Sequence, residues 1–220
     1  MIVAIAGQGE DAGNAIVAAN LALLRARAGR RVLLVDADPR QPAGAWSRKR
    51  FAEGLKPNVQ TEAITGGDLG VRLESLERRF HDIVINTEGR DTPAGRAALI
   101  SARLVVVPVT VGQVDLDSQY QLIARLNSAR MFNPGLRVLF VIMGGAADPS
   151  GEEMAAVRNY VAHVMSATLS GTVIHAQGAS RLDCVGGHCV CEAPERDTRA
   201  AAEMKELYRE VFVVRQACAA

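Results

Sequence analysis

Apolar residues along this chain fall into two kinds of run that take turns. Short, nearly continuous runs rich in β-branched residues occupy positions 2–6, 32–35, 82–86, 104–107 and 138–143, the pattern of strands buried on both faces of a parallel sheet. Between them lie longer stretches with apolar residues at helical spacing. The first, 15–28, sets Ile16, Ala19, Asn20, Leu23 and Leu24 near one face and closes on Gly29. Another carries Leu69, Leu73, Leu76 and Phe80, and a third, 93–102, opens on Pro93. The helix predicted over 116–131 stops at Asn133-Pro134-Gly135, and that over 150–168 opens on Ser150 with Glu153 at capping-box spacing. A helix containing Trp46 and Arg48-Lys49-Arg50, an edge strand at 59–64, a short last strand at 172–175 and a terminal helix at 197–215 complete the set. Strands alternating with helices predict an α/β protein: one domain, 1–220, with a doubly wound, mostly parallel sheet and helices on both faces.

Composition narrows this picture. A chain of 220 residues holds one domain with a large core, and 49% apolar with 4% aromatic residues suits an Ala/Val/Leu-rich α/β protein. The formal charge of +1 excludes a globally basic nucleic-acid binder and leaves room for a local patch. No run approaches the ~18 to 20 apolar residues of a membrane span, and the first residues are not a basic segment followed by a cleavable apolar one. The expected location is the cytoplasm, with no membrane partner. Cys184, Cys189, Cys191 and Cys218 cluster late in the chain and read as reduced thiols.

The candidate chemistry sits where the first strand hands over to the first helix. Gly7, Gly9 and Gly13 permit a tight loop, and a helix starting behind them points free N–H groups at its contents. A phosphate loop of the form G-x-x-x-x-G-K-[ST] would end on lysine and a hydroxyl, but here Asn14 and Ala15 occupy those positions. Asp36 and Asp38 end the second strand, at the sheet edge where open α/β folds bind ligands. The same loop also fits a dinucleotide fingerprint, Gly7-Gln8-Gly9-Glu10-Asp11-Ala12, with Asp36 as the ribose acid of an NAD-type site. Nothing downstream supplies an evident hydride-transfer site.

Five pieces in order carry a family resemblance: the first strand and loop with Gln8, Gly13 and Asn20-Leu21; GRRVLLVDADPRQPAGAWSRKR from Gly29; INTEGRDT from Ile85; RAALISARLVVVPV; and RAAAEMKELYREVF. Through them the chain resembles the ParA/MinD family of deviant Walker ATPases, most of all the plasmid-partition ParA proteins. The resemblance implies a P-loop NTPase-like fold. It makes Gly7, Gly9, Gly13, Asn14, Ala15, Asp36 and Asn86 the nucleotide site and Asp38 the water-positioning acid. ATP and magnesium would be the cofactors of an intact site. It further implies a homodimer, nonspecific DNA and a ParB-like adaptor as partners, with Arg181, Lys205, Arg209 and Arg215 as DNA-contact candidates and Arg48-Lys49-Arg50 as a second cluster.

Departures from the family pattern fall on the chemistry. Gly9 replaces the signature lysine, Glu10 and Asp11 replace glycines, and Asn14, Ala15 and Asn86 replace the loop lysine, the magnesium-binding threonine and the Walker B aspartate. Phosphoryl transfer depends on positioning and on charge neutralisation by lysine and magnesium. Two loop carboxylates near a triphosphate would each cost on the order of 2 to 4 kcal/mol at an effective dielectric near 20. Helix-terminus N–H groups return only roughly 0.3 to 2 kcal/mol. The reading is a pseudo-ATPase with degenerate Walker A and B motifs that acts by binding DNA or a partner protein. The alternatives are a ParA-type ATPase with weak residual binding or hydrolysis, and the NAD-type protein. The spacing of Cys184, His188, Cys189 and Cys191 matches no standard zinc pattern, so no metal is expected and the cysteines read as core or loop residues. His81, His163 and His175, and the loop acids Glu88 and Asp91, read as structural or solvated groups.

Overall fold

A computed structural model describes residues 1–7, 13–111, 116–145, 147–175, 185–192 and 198–213. Within them run β1 (Ile2–Ile5), α1 (Asn14–Arg27), β2 (Val32–Asp36), α2 (Pro42–Ala52), β3 (Gln60–Ala63), α3 (Leu69–Glu77), β4 (Asp82–Asn86), α4 (Pro93–Ser101), β5 (Leu104–Thr110), α5 (Leu116–Phe132), β6 (Arg137–Gly144), α6 (Gly151–Ala162), β7 (Ala167–His175), a 3-10 turn (Val185–Gly187) and α7 (Thr198–Phe212). The seven strands form one sheet in the order β3-β2-β4-β1-β5-β6-β7, and every pairing is parallel. The predicted class holds.

Alternation along the strands builds a core on each face. Ile2 and Ala4 of β1 face one layer together with Leu33, Ile83, Ile85 and residues of α3 to α6, whereas Val3 and Ile5 face the layer of α1, α2 and α7. Helix α1 is buried over most of its surface because the segment 189–191 and α7 cover its outer side. Its Asn20 reads as a core-facing polar residue and is one: Oδ1 accepts from Val190 N at 3.0 Å while Nδ2 donates to Ile16 O.

Three boundaries depart from the sequence reading. Helix α6 has the expected capping box at Ser150 and Glu153 but stops at Ala162, not 168, because the chain turns through Ser166 at φ 56°. Strand β7 consequently starts at Ala167 and pairs with Val138, five residues earlier than expected for a strand at 172–175. Helix α3 likewise ends at Glu77, short of Phe80.

Chain order reverses direction across the sheet around β1, which lies between β4 and β5. The carboxyl ends of β1, β2 and β4 therefore meet in one crevice, the place where open α/β sheets hold ligands.

Candidate nucleotide-type site

Three elements position the crevice. The chain leaves β1 at Gly7 and enters α1 through Gly13, whose φ of +68° suits glycine best. A Cβ there would also stand 3.5 Å from Met143 Cε at the end of β6. Thr87, just beyond β4, ties the two strand ends together: its N–H and its Oγ1 both donate to Ile5 O, at 3.1 and 2.9 Å. Ala37 N donates to Asn86 O at 2.8 Å and joins β2 to the same cluster.

The side chains of this crevice are partnered with one another. Buried Asn14 accepts from Gly7 N at 2.7 Å through Oδ1 and donates from Nδ2 to Thr87 O at 3.1 Å, so it staples the loop to the β4 end. Ala15 follows it, half-buried, with no hydroxyl to offer. Asp36 is fully buried; Oδ1 accepts from Asn86 Nδ2 at 2.9 Å and from Asp38 N at 3.3 Å, and Oδ2 accepts from Gly44 N at 2.8 Å in the first turn of α2. Burial pushes the Asp36 carboxyl above its ordinary range, against these hydrogen bonds, and the neighbouring Asp38 charge pushes the same way. Asp38 is held by Arg40, whose Nη2 and Nε reach its two oxygens at 2.9 and 3.2 Å. One buried atom stands apart: Asn86 Oδ1 has no hydrogen-bond partner among the described residues.

The structure places Gly7, Gly13, Asn14, Ala15, Asp36, Asp38 and Asn86 around this one crevice. Gly9, Glu10 and Asp11 lie outside the described residues, as do Arg181, Arg215, Cys184 and Cys218. Lys205 and Arg209 lie on the outer face of α7, where Arg209 pairs with Glu206. Arg50 corrects the reading of its basic run as a surface cluster. It is 1% exposed and forms a buried ion pair with Glu192, Nη1 to Oε2 at 2.6 Å, while also donating to Gly187 O and Pro57 O. With Trp46 Nε1 donating to His188 O, this pair fastens segment 185–192 onto α2. A side chain at Gly187 would put its Cβ 2.2 Å from Arg50 N, so the approach requires glycine.

Cys189 is buried and Cys191 half-buried, and burial pushes the Cys191 thiol up. No group of potential metal ligands gathers among the described residues. His175 takes a structural place: it is buried at the end of β7, with Nδ1 2.7 Å from Glu203 and Nε2 3.0 Å from Asp148, and Arg199 pairs with both acids. Asp91 pairs with Arg96 at 2.6 Å. Sequence reasoning missed Arg40, Gly44, Thr87 and Arg125, whose Nη1 donates to Arg90 O in the loop beyond β4. Arg40 alone had a local signal, two residues beyond Asp38.

The sequence model described as "CobQ/CobB/MinD/ParA nucleotide binding domain" matches residues 3–181. The chain is 29% identical over 168 residues to the chromosome-partitioning ATPase Soj of Thermus thermophilus, covering 64% of this chain and 68% of Soj. Among solved structures, the septum site-determining protein MinD of Pyrococcus horikoshii, complexed with Mg-ADP, superposes with a TM-score of 0.70 at 17% identity over 96% of each chain. A plasmid partition protein of Borrelia burgdorferi gives 0.64 at 15% identity, again over 96% of both chains.

Proposed function

The chain belongs to the CobQ/CobB/MinD/ParA nucleotide-binding family, and we propose on that premise that it is a partition or positioning protein working by binding, without ATP turnover. The observation that carries this reading is the Asn86–Asp36 contact. Where two carboxylates would need a cation between them, an amide donor satisfies Asp36 with no metal. Asn14 supports it in the same way, because its polar atoms are spent on Gly7 and Thr87 and add no positive charge for a phosphate. A magnesium–triphosphate does not suit this donor set: hard cations select carboxylate ligands, and Asp36 already accepts three hydrogen bonds. Gly7 and Thr87 are instead joined through Asn14 by hydrogen bonds internal to the chain. The NAD-type reading fares worse, since an Asp36 so occupied has little capacity left for a ribose diol.

What acts in place of turnover is the binding repertoire: a homodimer, an adaptor of the ParB kind and nonspecific DNA, with Lys205 and Arg209 on the exposed face of α7 as described contact candidates. Steady-state phosphate release tests the proposal. Release at background level with ATP and magnesium is expected, and release that disappears on Asp38→Ala overturns it.

A further inference from the structure

The formal net charge of +1 conceals a segregated distribution. Because all seven strands run the same way, every strand starts on one edge of the sheet, at the pole opposite the crevice. Along that edge Arg31 immediately precedes β2, His81 precedes β4, Arg103 precedes β5, and β6 begins at Arg137. The registers Val32↔Asp82, Ile2↔Ile83, Val3↔Leu104 and Leu104↔Arg137 set these starts nearly level across β2, β4, β1, β5 and β6. With strands about 4.8 Å apart the row spans roughly 19 Å. Arg31, Arg103 and Arg137 are exposed and form no ion pair among the described residues. The carboxylate in the row, Asp82, is buried and already bound to Arg25 and Arg30. His81 reports the local field: desolvation, then the guanidiniums of Arg30 and Arg31, hold its imidazole below the ordinary value.

Exposed apolar residues share this pole. Asn133 Nδ2 donates to Ile100 O and Ala102 O, both at 2.8 Å, drawing the end of α5 against the end of α4. Asn127 holds the turn before β7 through Met165 N and His163 O. Met131 and Phe132 are left 78% and 75% exposed, with Met165 and Ile100 also in solvent. These are four of the eight large apolar side chains exposed among the described residues, and they lie on the segments that lead into the starts of β5, β6 and β7.

A phosphodiester backbone would engage the arginines and leave these apolar side chains in water. An anionic bilayer engages both, with guanidinium groups on lipid phosphates and Phe or Met side chains at the boundary between headgroups and acyl chains. None of the described helices is long and apolar enough to cross a membrane, but lying on a bilayer is a different contact from spanning it. We propose that the strand-start pole docks onto the surface of an anionic lipid bilayer, with Arg31, Arg103 and Arg137 on headgroup phosphates and Met131 and Phe132 immersed at the interface. The crevice then faces away from the membrane, and the contact stands independently of whether nucleotide binds.

Sedimentation of the full chain with phosphatidylcholine vesicles, with and without phosphatidylglycerol, tests this. Binding is expected only with phosphatidylglycerol present, and it weakens as salt is raised. Arg31→Gln/Arg103→Gln/Arg137→Gln is expected to lower affinity on the order of a hundredfold, about fivefold per arginine. Met131→Ser/Phe132→Ser should lower it as well, and the single variants Arg137→Gln and Phe132→Ser give the same two tests if a combined variant melts early. Equal binding to both vesicle types, or none to either, overturns the proposal. So does an arginine effect without an apolar one, and so does duplex DNA retained through the arginines by a chain that ignores vesicles.

Discussion

Replacing Asn86 by aspartate would set a second carboxylate against Asp36 and measure what the amide donor contributes there. Asn86 Nδ2 lies 2.9 Å from Asp36 Oδ1, and the two residues are 1% and 0% exposed. In Asn86→Asp two carboxylate oxygens would meet at that separation, a repulsion of about 6 kcal/mol at an effective dielectric near 20. The pair can escape by sharing a proton. Drawing one at pH 7 onto a carboxyl of ordinary pKa costs about 4 kcal/mol, and that smaller figure caps the loss. The folded variant then holds a proton that the unfolded chain has released, so its stability falls as pH rises. Acidification should recover about 1.4 kcal/mol per pH unit, bringing the variant close to the parent near the ordinary carboxylate range. Urea unfolding of both proteins across this pH range measures the difference directly, and millimolar magnesium should stabilise the variant more than the parent. An unchanged stability at neutral pH without metal, or a penalty that does not vary with pH, would mean that the two side chains are not held in contact.

Three further outcomes are expected. Arg50→Met leaves Glu192 buried, with Arg27 as its remaining ion-pair partner, and should cost about 3 to 5 kcal/mol in chemical denaturation; a loss below 1 kcal/mol by the same assay would mean that segment 185–192 is not held through this pair. His81 accepts from Arg31 N through Nδ1 at 3.0 Å, and its folded pKa lies below the ordinary 6.5. Its contribution to stability is therefore complete above that value and lost as pH falls through the lower folded one, so His81→Gln should flatten the melting temperature against pH in that window. If Lys205 and Arg209 contact DNA phosphates, Lys205→Gln/Arg209→Gln should flatten the log–log salt dependence of duplex binding by about 2; an unchanged slope measured by fluorescence anisotropy removes α7 from the interface.

Legibility in the sequence follows the range of the interaction. Strand cores such as Val32 to Val35 and Leu104 to Val107 are continuous apolar runs, and Ser150 with Glu153 is a local cap, so the elements and their class can be read directly. The start of β7 cannot, because Ala167 to Gly171 has weak strand character and becomes a strand by pairing with β6. Candidate residues Asn14, Asp36, Asp38 and Asn86 were legible through motif spacing, yet their hydrogen bonds to Thr87 and Gly44 were not. Arg50 read as one of three surface cations because its partner, Glu192, is 142 residues away. The arginine row is equally hidden: its members are scattered along the chain and only the parallel sheet aligns them.

Asn14 and the Asp36 carboxylate are partnered within the chain, and calorimetric titration of ATP into the protein, with and without magnesium, shows whether a nucleotide can displace those contacts. No magnesium-dependent heat and an affinity weaker than millimolar are expected in both conditions. Micromolar binding that requires magnesium would mean that the crevice takes nucleotide after all.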